Sequence, residues 1–389
     1  MRAVDPKYFG DIDLSRAKRS ISLSMKMRSW HVQIGIGDRV RLYRMGEIWN
    51  RDINPPQQLM TTSGLDALIH NERIAAAFDT YERRANHWKR AFHVGGVITL
   101  VASVVGMGLV GYQAVLAPIA GPLPLAPVIG FFAGAVGIAA TGFLLLGHPR
   151  ERWLSARLGA ERLRCFKFRL FLLLAHGAEA DTLTSRIRQE TDRTLARFDF
   201  QMGGGFAVLH YTPSSDESAV PPLAPGAATH PAWLDAAKTL YADLRINVQL
   251  QHFAARMEDR DAELRPMRRF GDLLFAAGLL LTIAQLLFDG AHWALGGTGI
   301  SDAAAASMTF LSLLLFTASA ALLLLERGRN VEVDRERYAR YHAEIAAYAD
   351  ALPAADLAGF LTLIHDIERL CLCELRDFVR DMRGSSYLS

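Results

Sequence analysis

Between Ala91 and Pro149 this chain has no Asp, Glu, Lys or Arg, although charged residues make up 21% of its 389 positions. A helix in a water-soluble domain keeps a wet, polar face, so an uncharged stretch of this length excludes an ordinary soluble core. It is also too long for one crossing. Pro118, Pro122, Pro124 and Pro127, with Gly121 among them, divide it into spans over about 92–116 and 127–147. Each supplies the ~20 apolar residues that cross a bilayer. A second predicted pair follows, over about 269–288 and 303–325. Its connection, Asp289–Asp302, holds Gly290, Gly296, Gly297 and Gly299.

Cysteine is equally scarce. Cys165, Cys371 and Cys373 are the only three, an odd number that fits a reducing compartment without a disulfide framework. Cys371-x-Cys373 lacks the spacing of a redox or zinc motif. Nothing strongly apolar precedes Ala91, so no secretory signal is expected. No Ser–His–Asp, HExxH or P-loop pattern is present, and His342 and His365 stand without a neighbour at metal-ligand spacing. The expectation is a protein that is not an enzyme and uses no cofactor or metal.

The cations are distributed one-sidedly. Arg83, Arg84, Lys89 and Arg90 precede the first span, and Arg150, Arg152, Arg157, Arg162, Arg164, Lys167 and Arg169 follow the second. Arg265, Arg268 and Arg269 precede the third, and Arg327 and Arg329 follow the fourth. The positive-inside rule predicts cytoplasmic termini and a cytoplasmic central segment, with both tips on the far side of a bacterial inner membrane. Basic residues beside a bilayer are topology and headgroup signals, so the net charge of +3 does not imply a nucleic-acid partner.

The expected fold is mainly α. It is an integral membrane protein with four transmembrane helices in two hairpins and long cytoplasmic helices. A small β element is expected near the N-terminus, from the alternation Val32, Ile34, Ile36 and then Val40, Leu42 around a Gly37-Asp38 turn. Ser63 is the expected cap of a helix running into the first span, and the second span is expected to continue through Arg150–Ala175 as one long helix. The expected organisation is a small region over 1–63, a two-span unit over 64–202, and a linker over 203–231 rich in Gly and Pro. A second two-span unit over 232–352 and a C-terminal helix and tail over 353–389 follow. Tyr338, Tyr341, Ile345, Tyr348 and Leu352 form one packing seam, and Leu357, Leu361, Ile364, Ile367, Cys371, Leu375 and Phe378 another. Either seam suits packing within a subunit or between subunits.

Within the first span, Gly106-Met107-Gly108-Leu109-Val110-Gly111 matches the dinucleotide fingerprint by letter but lacks the preceding strand that brings a phosphate to it. Gly106, Gly111, Gly130 and Gly134 are instead predicted to let membrane helices approach closely. Gln285, among Leu and Ile in the third span, suits an interhelical hydrogen bond or a pore lining. Asp272 suits a local pair with Arg268 or Arg269, or a ring of carboxylates in an oligomer that favours cations.

Arg157-x-x-Ala160-Glu161 follows the first apolar pair and Arg340-x-x-Ala343-Glu344 the second, each placing Arg and Glu four apart on a helix face. The longer pattern Trp153-x3-Arg157-x2-Ala160-Glu161-x-Leu163-Arg164 resembles the SLATT family of SMODS- and SLOG-associating two-transmembrane effector domains. Tyr241-x3-Arg245-x3-Gln249-x3-Phe253, before the second pair, is similar to the lead-in helix of that group. The resemblance covers about 72–175 and 241–352. It implies a pore-forming or membrane-disrupting oligomeric effector of bacterial antiviral defence or nucleotide signalling. The chain has no Rossmann-like sensor of its own, so the resemblance implies a separate nucleotide-sensing protein as partner. Other functions compatible with the sequence are a membrane scaffold or sensor and a small transporter.

Overall fold

The computed structural model describes residues 52–53, 65–177, 179–202, 220–224, 231–295 and 302–384. All belong to the compact unit Arg51–Ser389. The β element at Val32–Leu42, the cap at Ser63, the Gly203–Gly205 linker and Gly296, Gly297 and Gly299 lie outside the described residues.

Among the described residues every regular element is helical. After the short α1 (Asp66–Ile69), α2 spans Glu72–Gly111 and continues through a π-helical turn at Tyr112–Leu116. Asn71 caps α2: its side chain accepts a hydrogen bond from the Ile74 N–H at 3.2 Å. Then come α3 (Ala126–Leu146), α4 (Pro149–Arg169) running into a 3₁₀ segment (Leu170–His176), and α5 (Ala180–Met202). Next, α6 (Pro231–Tyr241) joins α7 (Asn247–Leu295) through a second π turn at Ala242–Ile246. The chain closes with α8 (Asp302–Arg329), α9 (Val331–Ala351) and α10 (Leu357–Gly384).

The expected continuation of the second span into Arg150–Ala175 does not occur. His148 adopts a left-handed conformation (φ 49°) and separates α3 from α4. Pro149 is the physical reason, since its ring disfavours a right-handed helical residue before it and it has no N–H to continue the ladder. Asn330 (φ 53°) makes the corresponding break between α8 and α9, and asparagine is among the few residues that tolerate this region.

Among the described residues, four helices are long and apolar enough to cross a membrane, the ones containing α2, α3, α7 and α8. Their main contacts run in a row: α3 on α2, α2 on α8, α8 on α7. A Cβ at Gly95 of α2 would stand 2.9 Å from Leu144, and one at Gly137 of α3 would stand 3.2 Å from Ala102. Gly111 faces Leu313 and Phe310, and Tyr112 meets Phe310 edge-on, bringing α2 against α8. Gly278 lies under the ring of Phe316, and the Ser319 hydroxyl donates to the Gly271 carbonyl at 3.0 Å, joining α7 to α8. The expectation for the glycines therefore needs correction. Gly111 does pack closely and Gly130 makes an ordinary contact with Leu109, but Gly106 and Gly134 face open space. At the ends of the row, Phe131, Ile138 and Leu146 of α3 and Leu273, Leu280 and Leu287 of α7 are exposed. Uncovered apolar surface on this scale marks a lipid or protein contact.

A large helical core lies outside the apolar segments. It gathers Phe78 of α2, Leu163 and Phe168 of α4, Tyr241 and Leu244 before α7, Tyr341 and Ile345 of α9, and Phe360 and Ile364 of α10. Both seams read from the sequence point into it: Tyr341, Ile345 and Leu352 of the first and Leu357, Leu361, Ile364 and Ile367 of the second belong to it. They are used within the subunit, which removes them as evidence for an intersubunit coiled coil. The two halves that the linker separates in sequence share this core in space. α10 then runs back toward the apolar helices, where Val379 and Met382 pack with Phe92, Trp153 and Leu154.

Candidate functional site: a buried charge cluster

The centre of the helical core is not apolar. Arg164 of α4, Arg245 of the π turn before α7, and Asp52 are each 0% exposed, and Lys167 and Glu368 are 1% exposed. Isolated, any one of these charges would cost several kcal/mol to bury, so the arrangement must be mutually compensating.

Two guanidinium groups organise it. Arg164 donates to both oxygens of Glu161, at 2.8 and 2.9 Å, and its Nε forms an ion pair with Asp52 Oδ2 at 2.9 Å. Arg245 grips Glu368 of α10 with two bonds, Nε to Oε1 at 2.8 Å and Nη2 to Oε2 at 2.6 Å. Its Nη1 lies 3.8 Å from Asp52 Oδ2, so one carboxylate faces an arginine from each half of the chain. Tyr241 also donates to Glu368 Oε1 at 2.9 Å, and Arg245 Nη2 lies 3.6 Å from Cys165 Sγ. Each arginine covers an aromatic ring, Arg164 over Phe78 at 4.9 Å and Arg245 over Phe168 at 4.8 Å. Lys167 donates to the backbone carbonyls of Asp52 and Ile53, at 2.6 and 2.8 Å, and so pins that segment.

Burial dominates the titration of these groups. It lifts the Asp52 carboxyl above the usual range, against the pull of Arg164, Arg245 and Lys167. Burial lowers Lys167 to about 8, with Asp52 opposing. Burial would also raise Glu161, but Arg157 and Arg164 hold it below its ordinary value. The Cys165 thiol is pushed well up by burial and then by Glu368, which makes it a poor nucleophile.

The residues carrying the sequence resemblance divide sharply in this geometry. Trp153 is buried edge-on against Phe378, and Ala160 is 0% exposed where α4 is closely covered. Arg157 binds Glu161 at 2.5 Å within α4 and Glu82 of α2 at 3.2 Å. Tyr241, Arg245, Gln249 and Phe253 are all buried. A spacing of four drifts about 40° per step around an α-helix, and the π turn at Ala242–Ile246 takes back part of that drift.

Arg340 and Glu344 correct the expectation of a second equivalent copy. Both are exposed, and Arg340 turns to Asp377 of α10 at 3.0 Å. The buried arginine of α9 is Arg337, one turn earlier. It bonds Asp334, Glu374 and Asp381 at 2.6, 3.1 and 3.2 Å and lies against Phe378. Sequence reasoning missed Arg337, Glu368 and Asp52, because nothing in their local spacing marks their partners.

At the apolar level, Gln285 accepts a hydrogen bond from Thr309 of α8 at 3.1 Å. Asp272 is exposed, and Arg268 is committed elsewhere, to Glu326 at 2.9 Å and Glu332 at 2.6 Å. Fold and site together define a protein whose described residues are helical, with four helices apolar enough to cross a membrane and an ionic centre in the helical core outside them. No protein-family model, curated protein or solved structure matches the chain.

Proposed function

We propose that this protein is an oligomeric effector of the bacterial inner membrane, of the SLATT kind, that permeabilises the bilayer when a separate nucleotide-sensing protein engages its cytoplasmic helices. Both apolar pairs are hairpins in this reading, with the basic flanks and both termini in the cytoplasm. The observation that carries the proposal is the row α3–α2–α8–α7. Helices standing side by side enclose no lumen, so a conducting path takes several copies. Asp272, exposed on the outermost helix α7, is then available to line its mouth. The charge cluster supplies the coupling, since Asp52, Arg164, Arg245 and Glu368 join segments leading into both apolar pairs.

Reconstitution into dye-loaded liposomes tests this reading. Release should rise more steeply than linearly with the protein-to-lipid ratio, and light scattering should give a mass of several 42.9 kDa chains. A monomeric, inserted protein that releases no dye at any ratio rejects the pore. The second reading is a membrane scaffold, favoured by the extent of the helical core outside the apolar segments.

A further inference from the structure

Asp52 and Ile53 enter the buried cluster as a turn, outside any helix, and both are closed to solvent. The other charged members, Glu161, Arg164, Lys167, Arg245 and Glu368, are carried by helical segments. Those segments are fixed by the apolar core they build, to which Phe168, Leu244 and Ile364 belong. The turn has no helix to fix it. Ile53 seats in the same core, and the rest of the hold is polar. Lys167 donates to two successive carbonyls, at 2.6 and 2.8 Å, while Arg164 and Arg245 face the Asp52 carboxylate.

The three carboxylates of the cluster are not equivalent. Glu161 takes two hydrogen bonds from Arg164, at 2.8 and 2.9 Å, and Glu368 two from Arg245, at 2.8 and 2.6 Å. Asp52 Oδ2 lies instead between both guanidinium groups, at 2.9 and 3.8 Å, and its Oδ1 has no hydrogen-bond partner among the described residues. Against the cations Arg164, Lys167 and Arg245, Glu161 and Glu368 supply two negative charges and Asp52 the third. Without Asp52, positive charge from both halves of the chain is left buried and uncompensated.

We propose that the Asp52–Ile53 turn is an intramolecular ligand, docked on a receptor that Arg164, Lys167 and Arg245 form, and that it clamps the two halves of the chain together. The chemistry recognised is a side-chain carboxylate beside two successive peptide carbonyls, the set that an acidic turn presents. A peptide offering the same set competes for the place, and the room for it is the volume the turn vacates. Because the turn belongs to no helix, it leaves without unwinding one. The docking is independent of whether the protein conducts.

A protease site placed after Gln58 lets the full-length protein be cut once it has folded in detergent. The amino-terminal fragment should stay with the body through gel filtration. Cut Asp52→Asn and Lys167→Met proteins should each hold it at least about tenfold more weakly, since each loses a charged contact to the turn. Arg265→Gln, on an exposed side chain, should hold it like the parent. In a second arm, a synthetic peptide of residues 46–58 in excess should displace the fragment from the cut parent. The same peptide carrying Asp52→Asn should fail at that concentration. The body is unsubstituted in this arm, so it decides the question even where a variant does not fold. The stripped body should also melt at a lower temperature than the cut complex. A fragment that leaves the parent at once, or an Asp52→Asn peptide that competes as well as the parent sequence, overturns the docking. An unchanged melting temperature after stripping overturns the clamp.

Discussion

Arg245 and Glu368, 123 residues apart in the chain, form a two-pronged ion pair of 2.6 and 2.8 Å with neither side chain open to solvent. It fastens the π turn that leads into α7 to the middle of the C-terminal helix. Removing one partner leaves a buried charge unpaired, at a cost of about 3–5 kcal/mol. Glu368→Ala should therefore lower thermal stability severely in detergent, while Arg245→Met combined with Glu368→Leu should recover much of the loss. A double variant no better than the single would show that the pair contributes specifically and not by mutual compensation.

The two arginines of α9 should behave oppositely. Arg337, 1% exposed and bonded to three carboxylates, should cost about 3 kcal/mol or more when changed to alanine. Arg340 is 55% exposed, and its replacement should cost less than about 1 kcal/mol. Chemical or thermal unfolding of the two variants side by side checks the ranking.

Lys167 gives a pH signature. Its ammonium ionises at about 8 in the folded protein against 10.5 ordinarily. Between those values the unfolded chain holds the extra proton, so the contribution of Lys167 to stability rises with pH across about 8 to 10.5 and is level below. Cys165, pushed upward, works in the opposite sense at high pH. The informative quantity is the difference between parent and Lys167→Met. It should grow in favour of the parent from pH 8 to pH 10, and a flat difference would show an ordinary lysine.

For topology, Leu123→Cys and Gly297→Cys should each label from outside intact cells with an impermeant maleimide. Cys165 is no control for the opposite face, because it is 2% exposed and unreactive wherever it lies. Arg380→Cys, at a side chain 71% exposed on α10, should label only after permeabilisation. Labelling of Arg380→Cys in intact cells would invert the orientation.

Gln285 and Asp272 should separate cleanly. Gln285 already has its partner in Thr309 of the same chain, so Gln285→Leu should cost roughly 0.6–1.7 kcal/mol and leave the oligomer mass unchanged. Asp272→Asn should weaken cation preference in bilayer recordings while the protein still inserts. Unaltered selectivity would take Asp272 out of the conducting path.

The sequence alone determined which segments are apolar enough to cross a membrane. Freedom from charge over some twenty residues is a property of the chain in one dimension. Pro118–Pro127 and Gly121 marked the first break for the same reason, and the Arg157–Glu161 pair followed from helix spacing. Periodicity also found the seams on α9 and α10, but not what they would face; the apolar surface they bury is supplied by α4 and the residues before α7. Tertiary structure decided the rest: the order α3–α2–α8–α7, the burial of Arg337 in place of Arg340, and the ionic centre. Asp52 meets Arg164 and Arg245 from more than a hundred residues away. A charge becomes buried and paired only when folding brings its counter-charge to it, and local pattern holds no record of partners so distant.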